Sequence, residues 1–107
     1  MIEPKNIEMD GRKYIISKFP TVQGFEIVSQ YPLAAMPKLG DYEKLKPIML
    51  KLTAFIGVPL DTGVPLMLVT EELINNHVPS WETWAKLQWQ MMEYNCSFFK
   101  TARSQVS

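Results

Sequence analysis

The chain has little of the equipment from which active sites are usually read. One cysteine, Cys96, and one histidine, His77, stand among 107 residues. A lone thiol excludes an internal disulfide, the usual staple of small secreted domains, and fits a reducing compartment. No HxxxH or CxxC spacing occurs, so a metal site would need carboxylates gathered from elsewhere. The five glycines are scattered at turns and caps, and none belongs to a GxGxxG loop, a Walker-type phosphate loop or a GxSxG elbow. Neither sign of charge is in excess. Eleven basic residues balance eleven acidic ones, which removes the long-range attraction that draws proteins to nucleic acid or an anionic bilayer. The longest nearly apolar stretch, Pro47 to Leu60, is interrupted by Lys51 and falls short of the roughly 20 residues that cross a membrane. The opening MIEPKNIEMDG has no basic region and no continuous apolar one, so it does not read as a signal peptide.

What is present suffices for one core. Hydrophobic residues make up 47% of the chain and charged residues 21%, close to a folded soluble protein and far from the composition that keeps chains disordered. The length suits a single domain, residues 1–107, with about 100–107 expected to fray. IEMDGRKYIIS alternates apolar residues around Asp10-Gly11, predicting a hairpin with strands near Glu3 to Met9 and Arg12 to Ser17. FPTVQGFEIVSQYP spaces Val22, Phe25, Ile27, Val28 and Tyr31 mostly along one helical face, opened by Pro20, closed by Pro32 and weakened by Gly24. Pro37 and Gly40-Asp41 mark a loop, with Asp41 placed to cap a helix that runs to about Phe55. Leu45, Ile48, Met49, Leu52, Phe55 and Ile56 form its apolar stripe, and Pro47 is expected in its first turn. Asp61-Thr62-Gly63 sits between two short apolar runs that read as a second hairpin, with Pro59 and Pro65 pointing to edge positions. Thr70 is the expected cap of a short helix ended by Pro79, and Ser80 that of a last helix from Trp81 to about Phe99 with an exposed Glu82–Lys86 pair. The fold class is α+β, a mostly helical single domain with an N-terminal β-hairpin and a long C-terminal amphipathic helix.

His77 and Cys96 are the only members of the usual nucleophile and base pairing, with Glu71, Glu72, Asn75 and Asn76 available to orient them. Cys96 sits among large apolar side chains, where a thiol is more often a small buried hydrophobe than an activated nucleophile. Glu71 and Glu72 suit the positive end of a helix dipole better than a convergent acid–base pair. The chain is therefore read as no enzyme, with no catalytic residue, cofactor or metal ligand assigned.

The last helix is unusual for its breadth. At about 100° per residue, its apolar side chains from Tyr94 round to Trp89 span an arc of about 220°, whereas a surface helix needs only about half of that. Gln88 and Asn95 lie near the middle and divide the arc in two. One flank is expected to face the core and the other to remain for a partner, which makes Trp81, Trp84, Trp89, Met91, Met92, Phe98 and Phe99 the candidate partner-binding residues. The competing expectation is that the rest of the chain covers both flanks and that Gln88 and Asn95 find internal hydrogen bonds. Seven methionines suit a surface that accepts more than one apolar sequence.

NNHVPSWETWAKLQWQMMEYNCSFF (Asn75 to Phe99) and ISKFPTVQGFEIVSQYPLAAMPKLGDYEKL (Ile16 to Leu45) resemble the tail assembly chaperones of tailed bacteriophages. The resemblance covers roughly Ile7 to Phe99. It implies a non-enzymatic protein of the bacterial host cytoplasm, absent from the mature virion. Such a protein covers apolar helical segments of the tape measure protein and keeps that client soluble until tail tube protein assembles around it. It further implies homo-oligomers, displacement by the tail tube protein, and no nucleic-acid or membrane partner. The alternative reading is another phage-encoded interaction protein that acts on, or is recognised by, a host factor.

Overall fold

A computed structural model describes residues 4–31 and 42–96. Asp10 and Gly11 both take positive φ, 51° and 81°, the backbone that a two-residue type I′ turn requires and that aspartate and glycine tolerate. The turn sets the register of β1 (Lys5–Met9) against β2 (Arg12–Ile16), with Met9 opposite Arg12 and Lys5 opposite Ile16. Strand alternation then sends Tyr14 and Ile16 into the core and leaves Lys13 in solvent. A second hairpin, β3 (Ile56–Val58) and β4 (Leu66–Met67), extends the antiparallel sheet in the order β1-β2-β3-β4. Pro59 and Pro65 lie just outside the paired residues, so their missing N–H groups cost no ladder bond.

Among the described residues there are four helices: α1 (Thr21–Gln30), α2 (Tyr42–Thr53), α3 (Glu71–His77) and α4 (Trp81–Asn95). The fold is α+β. Side-chain caps start α3 and α4 as their sequences predict: Thr70 accepts from the Leu73 N–H at 3.2 Å and Ser80 from the Thr83 N–H at 3.1 Å. Among the described residues, no helix is long and apolar enough to cross a membrane.

Several local expectations are corrected. Pro47 is not in the first turn of α2 but is its sixth residue. The loop over residues 32–41, with its Asp41 cap, lies outside the described residues, as do the strand residue Glu3 and the tail from residue 97. The Glu82–Lys86 pair gives way to a longer-range one, because Lys86 Nζ lies 3.2 Å from Asp10 Oδ1. Along α1 the apolar residues do not share one face. Ile27 and the following Tyr31 are buried and Val28 is half-buried, while Val22 and Phe25 are exposed. At Gly24 a Cβ would stand 3.0 Å from Phe19 Cβ, so the glycine allows a close approach of α1 to Phe19 that a larger residue would push apart.

Asp10 joins the hairpin turn to α4. Thr83 Oγ1 donates to Asp10 Oδ2 at 2.5 Å while Lys86 approaches Oδ1. The Thr83 hydrogen bond first, and Lys86 second, hold the Asp10 carboxyl below its usual range. A folded-state pKa below the unfolded one contributes stability above the unfolded value that is lost as pH falls through the folded value. Acid unfolding followed by circular dichroism should therefore cost the natural chain more of its stability than Asp10→Asn. The variant keeps an Asn-Gly turn but has no carboxylate to protonate.

Candidate partner-binding surface

α4 is the central element of the fold rather than a helix with a spare side. Leu87 and Met91 on one flank and Ala85, Met92 and Cys96 on the other are all buried. The sheet residues Tyr14, Ile16 and Ile56 share this core with Ile48, Met49 and Leu52 of α2 and Ile27 of α1. The two polar residues of the arc also bond internally, Asn95 through both its oxygen and its nitrogen and Gln88 through its oxygen. Tyr31 donates its hydroxyl to Gln88 Oε1 at 3.0 Å. Asn95 Oδ1 accepts from the Phe19 N–H at 2.7 Å, and Asn95 Nδ2 donates to the carbonyls of Ser17 at 3.1 Å and Met91 at 2.9 Å. The buried members of the arc are thus covered within the monomer, which takes Met91 and Met92 out of the surface that periodicity offered to a partner, while Trp81 on the same arc stays exposed.

The candidate residues separate accordingly. Met91 and Met92 are fully buried core residues and offer no surface to a partner. Trp84 is half-buried, its indole N–H donating to Thr53 Oγ1 at 2.9 Å and tying α4 to α2. Trp89 is half-buried against the core cluster. Phe98 and Phe99 lie outside the described residues. Trp81 alone of the described candidates is widely exposed, at 69%, beside a cleft lined by Ile74, Val78, Pro79 and Trp84.

A second exposed apolar patch lies on α1. On α1, Val22 and Phe25 are 81% and 80% exposed, and residues three apart on a helix are neighbours. Beside Phe25 runs a groove walled by Phe19, Pro20, Gly24, Val28 and Cys96. Phe19, one of its lining residues, is held edge-on against Phe55 with ring centroids 5.4 Å apart. The sequence reading placed most of Val22, Phe25, Ile27, Val28 and Tyr31 on one helical face without separating Val22 and Phe25 from the rest. The signal that separates them was present: Val22 lies about 140° from Ile27 and about 180° from Tyr31 around the axis.

His77 and Cys96 line different clefts, His77 with Arg12, Tyr14 and Val58, Cys96 in the α1 groove. The His77 carbonyl accepts from the Tyr14 hydroxyl at 2.8 Å and from Arg12 at 3.2 Å, which pins the end of α3 to β2. Burial is the main cause that raises the Tyr14 phenol above its usual pKa, and it does so strongly for Tyr31, keeping both hydroxyls neutral donors. Among the described residues no group of three or more His, Cys, Asp or Glu side chains is placed to hold a metal ion. No family model, curated protein or solved structure matches the chain.

Gln88 Nε2 is buried with no hydrogen-bond partner, so the Tyr31–Gln88 pair is a half-satisfied polar contact inside an apolar core. Tyr31→Phe should cost about 1–3 kcal/mol, because it strands the Gln88 carbonyl oxygen as well. Gln88→Leu removes the acceptor of the Tyr31 hydroxyl and should also be destabilising. The double variant should be more stable than the sum of the two single effects, a coupling that urea denaturation of the four chains would read directly.

Proposed function

We propose that this chain is a non-enzymatic phage tail assembly chaperone, binding apolar helical segments of the tape measure protein and keeping them soluble until the tail tube assembles. The observation that carries the reading is the pairing of Val22 and Phe25, both about four-fifths exposed one turn apart on α1, at the rim of an apolar groove. A helix whose apolar residues recur at three and four positions can lay its stripe on such a surface. Trp81 offers a second, aromatic contact of the kind enriched at binding hot spots. The balanced charge supports an apolar client over a nucleic acid or an anionic surface. The client's identity, action in the host cytoplasm, self-association and release to tail tube protein come from the resemblance of Asn75–Phe99 and Ile16–Leu45 to tail assembly chaperones.

The mechanism follows from mass action. A chaperone that binds exposed apolar stripes lowers the concentration of client free to self-associate, and tube subunits that compete for the same stripes release it. Co-expression with a tape measure protein should therefore raise the client's soluble fraction. Phe25→Asp should weaken client binding by about tenfold or more while leaving the urea midpoint of the chaperone nearly unchanged, since Phe25 is already in solvent. An insoluble client alongside the natural chain would refute the reading.

A further inference from the structure

The cleft at the end of α3 is basic, although the chain as a whole carries no net charge. Arg12, Lys13 and His77 line it beside Tyr14, Val58 and Pro59, with no acidic side chain among them. Arg12 is held in place there. A single guanidinium donor is spent on the His77 carbonyl at 3.2 Å, beside the Tyr14 hydroxyl that donates to the same carbonyl at 2.8 Å, and an arginine has several further donors in a fixed fork. The acids nearest in the hairpin do not neutralise this corner. Asp10 is committed to Thr83 and Lys86 of α4. Glu8 stands opposite Lys13 in the strand register, yet no ion pair among the described residues includes Arg12, Lys13 or His77. A purely structural role for Arg12, closing the end of α3, accounts for one donor and needs neither Lys13 nor the His77 ring.

We propose that this cleft binds a dianionic phosphate group. The free part of the Arg12 fork takes two phosphate oxygens, Lys13 supplies a mobile point charge, and the His77 imidazole has an N–H to donate in either protonation state. A phosphate is favoured over a carboxylate because it brings a charge of about −1.5 to −2 and three strong acceptor oxygens to three separate donors. Val58 and Pro59 give the cleft an apolar side on which the body of a phosphate ester can rest. The cleft shares no lining residue with the α1 groove, so the proposal is independent of the tape measure reading.

The test is a resonance titration of the full, isotope-labelled chain with inorganic phosphate at fixed pH, with chloride holding the ionic strength constant. Saturable shifts of the His77 ring and the Arg12 side chain are expected, with a millimolar Kd. Lys13→Gln, at an exposed position, should weaken binding about three- to tenfold without disturbing the amide spectrum. Arg12→Lys keeps the charge but loses the fork and should weaken it about tenfold. Tighter binding of phenyl phosphate would assign the site to an organic ester lying on Val58 and Pro59, and equal binding to free phosphate. Shifts that rise without saturating would overturn the proposal, as would acetate binding as tightly as phosphate. Unchanged affinity in both variants would also overturn it.

Discussion

Met92→Ala should destabilise the fold by about 2–5 kcal/mol, the range for truncating a large, well-packed core side chain. Met92 is fully buried within the cluster that includes Leu87, Ile56 and Leu52, and alanine there leaves a cavity that packed neighbours refill only in part. Equilibrium urea unfolding would show a lower midpoint at an unchanged slope. The same substitution distinguishes the two roles considered for this helix face. An interface methionine lost to alanine would weaken client binding and spare stability, whereas a core methionine lowers the yield of folded protein first. Any effect of Met92→Ala on the solubility of the proposed client should follow the fraction of this chain that is unfolded. Trp81→Ala should show the opposite balance, with little change in stability because its side chain is already 69% exposed.

Asn95→Ala should cost about 1–3 kcal/mol, through polar groups rather than volume. The Asn95 side chain ties the link between β2 and α1 to α4. It accepts from the Phe19 N–H and donates to the Ser17 carbonyl while remaining tied to the Met91 carbonyl one turn back. Alanine leaves the Phe19 donor and the Ser17 acceptor without this partner in a part-buried site. The specific readout is hydrogen exchange at the Phe19 amide, which should lose protection beyond the loss shared by the rest of the core. Because Phe19 lines the α1 groove beside Phe25, the variant should also loosen the surface on which Val22 and Phe25 are presented. Unaltered exchange at Phe19 would show that another group satisfies that amide.

The features legible in the sequence are those decided by chemistry within a few residues. Asp10-Gly11 specifies the first hairpin because few other dipeptides accept two consecutive positive φ angles. Thr70 and Ser80 specify helix starts because their oxygens reach the third residue's N–H. Ile48, Met49 and Leu52 mark the buried stripe of α2 by spacing alone. The candidate surface was less legible, since a helix's own pattern records how much of it is apolar but not how many elements will cover it. α4 meets the sheet, α2 and the linker into α1, so its wide arc is the signature of a central helix. Position along the axis matters as much as azimuth: Trp81 and Met92 lie about 20° apart around α4 but about 16 Å apart along it, and only Met92 reaches the covered section. The Asp10–Lys86 pair was hidden for a related reason, because the nearer Glu82 satisfies the sequence rule while the hairpin turn, brought in by the fold, holds the lysine.

The most direct measurement is a resonance map of the chain with and without an apolar helical segment of the tape measure protein. Shifts at the Val22 methyls, the Phe25 ring and the Trp81 indole, with the Met91 and Met92 methyls unmoved, are the predicted result. Shifts centred on Met91 and Met92, with Val22, Phe25 and Trp81 unchanged, would contradict the account.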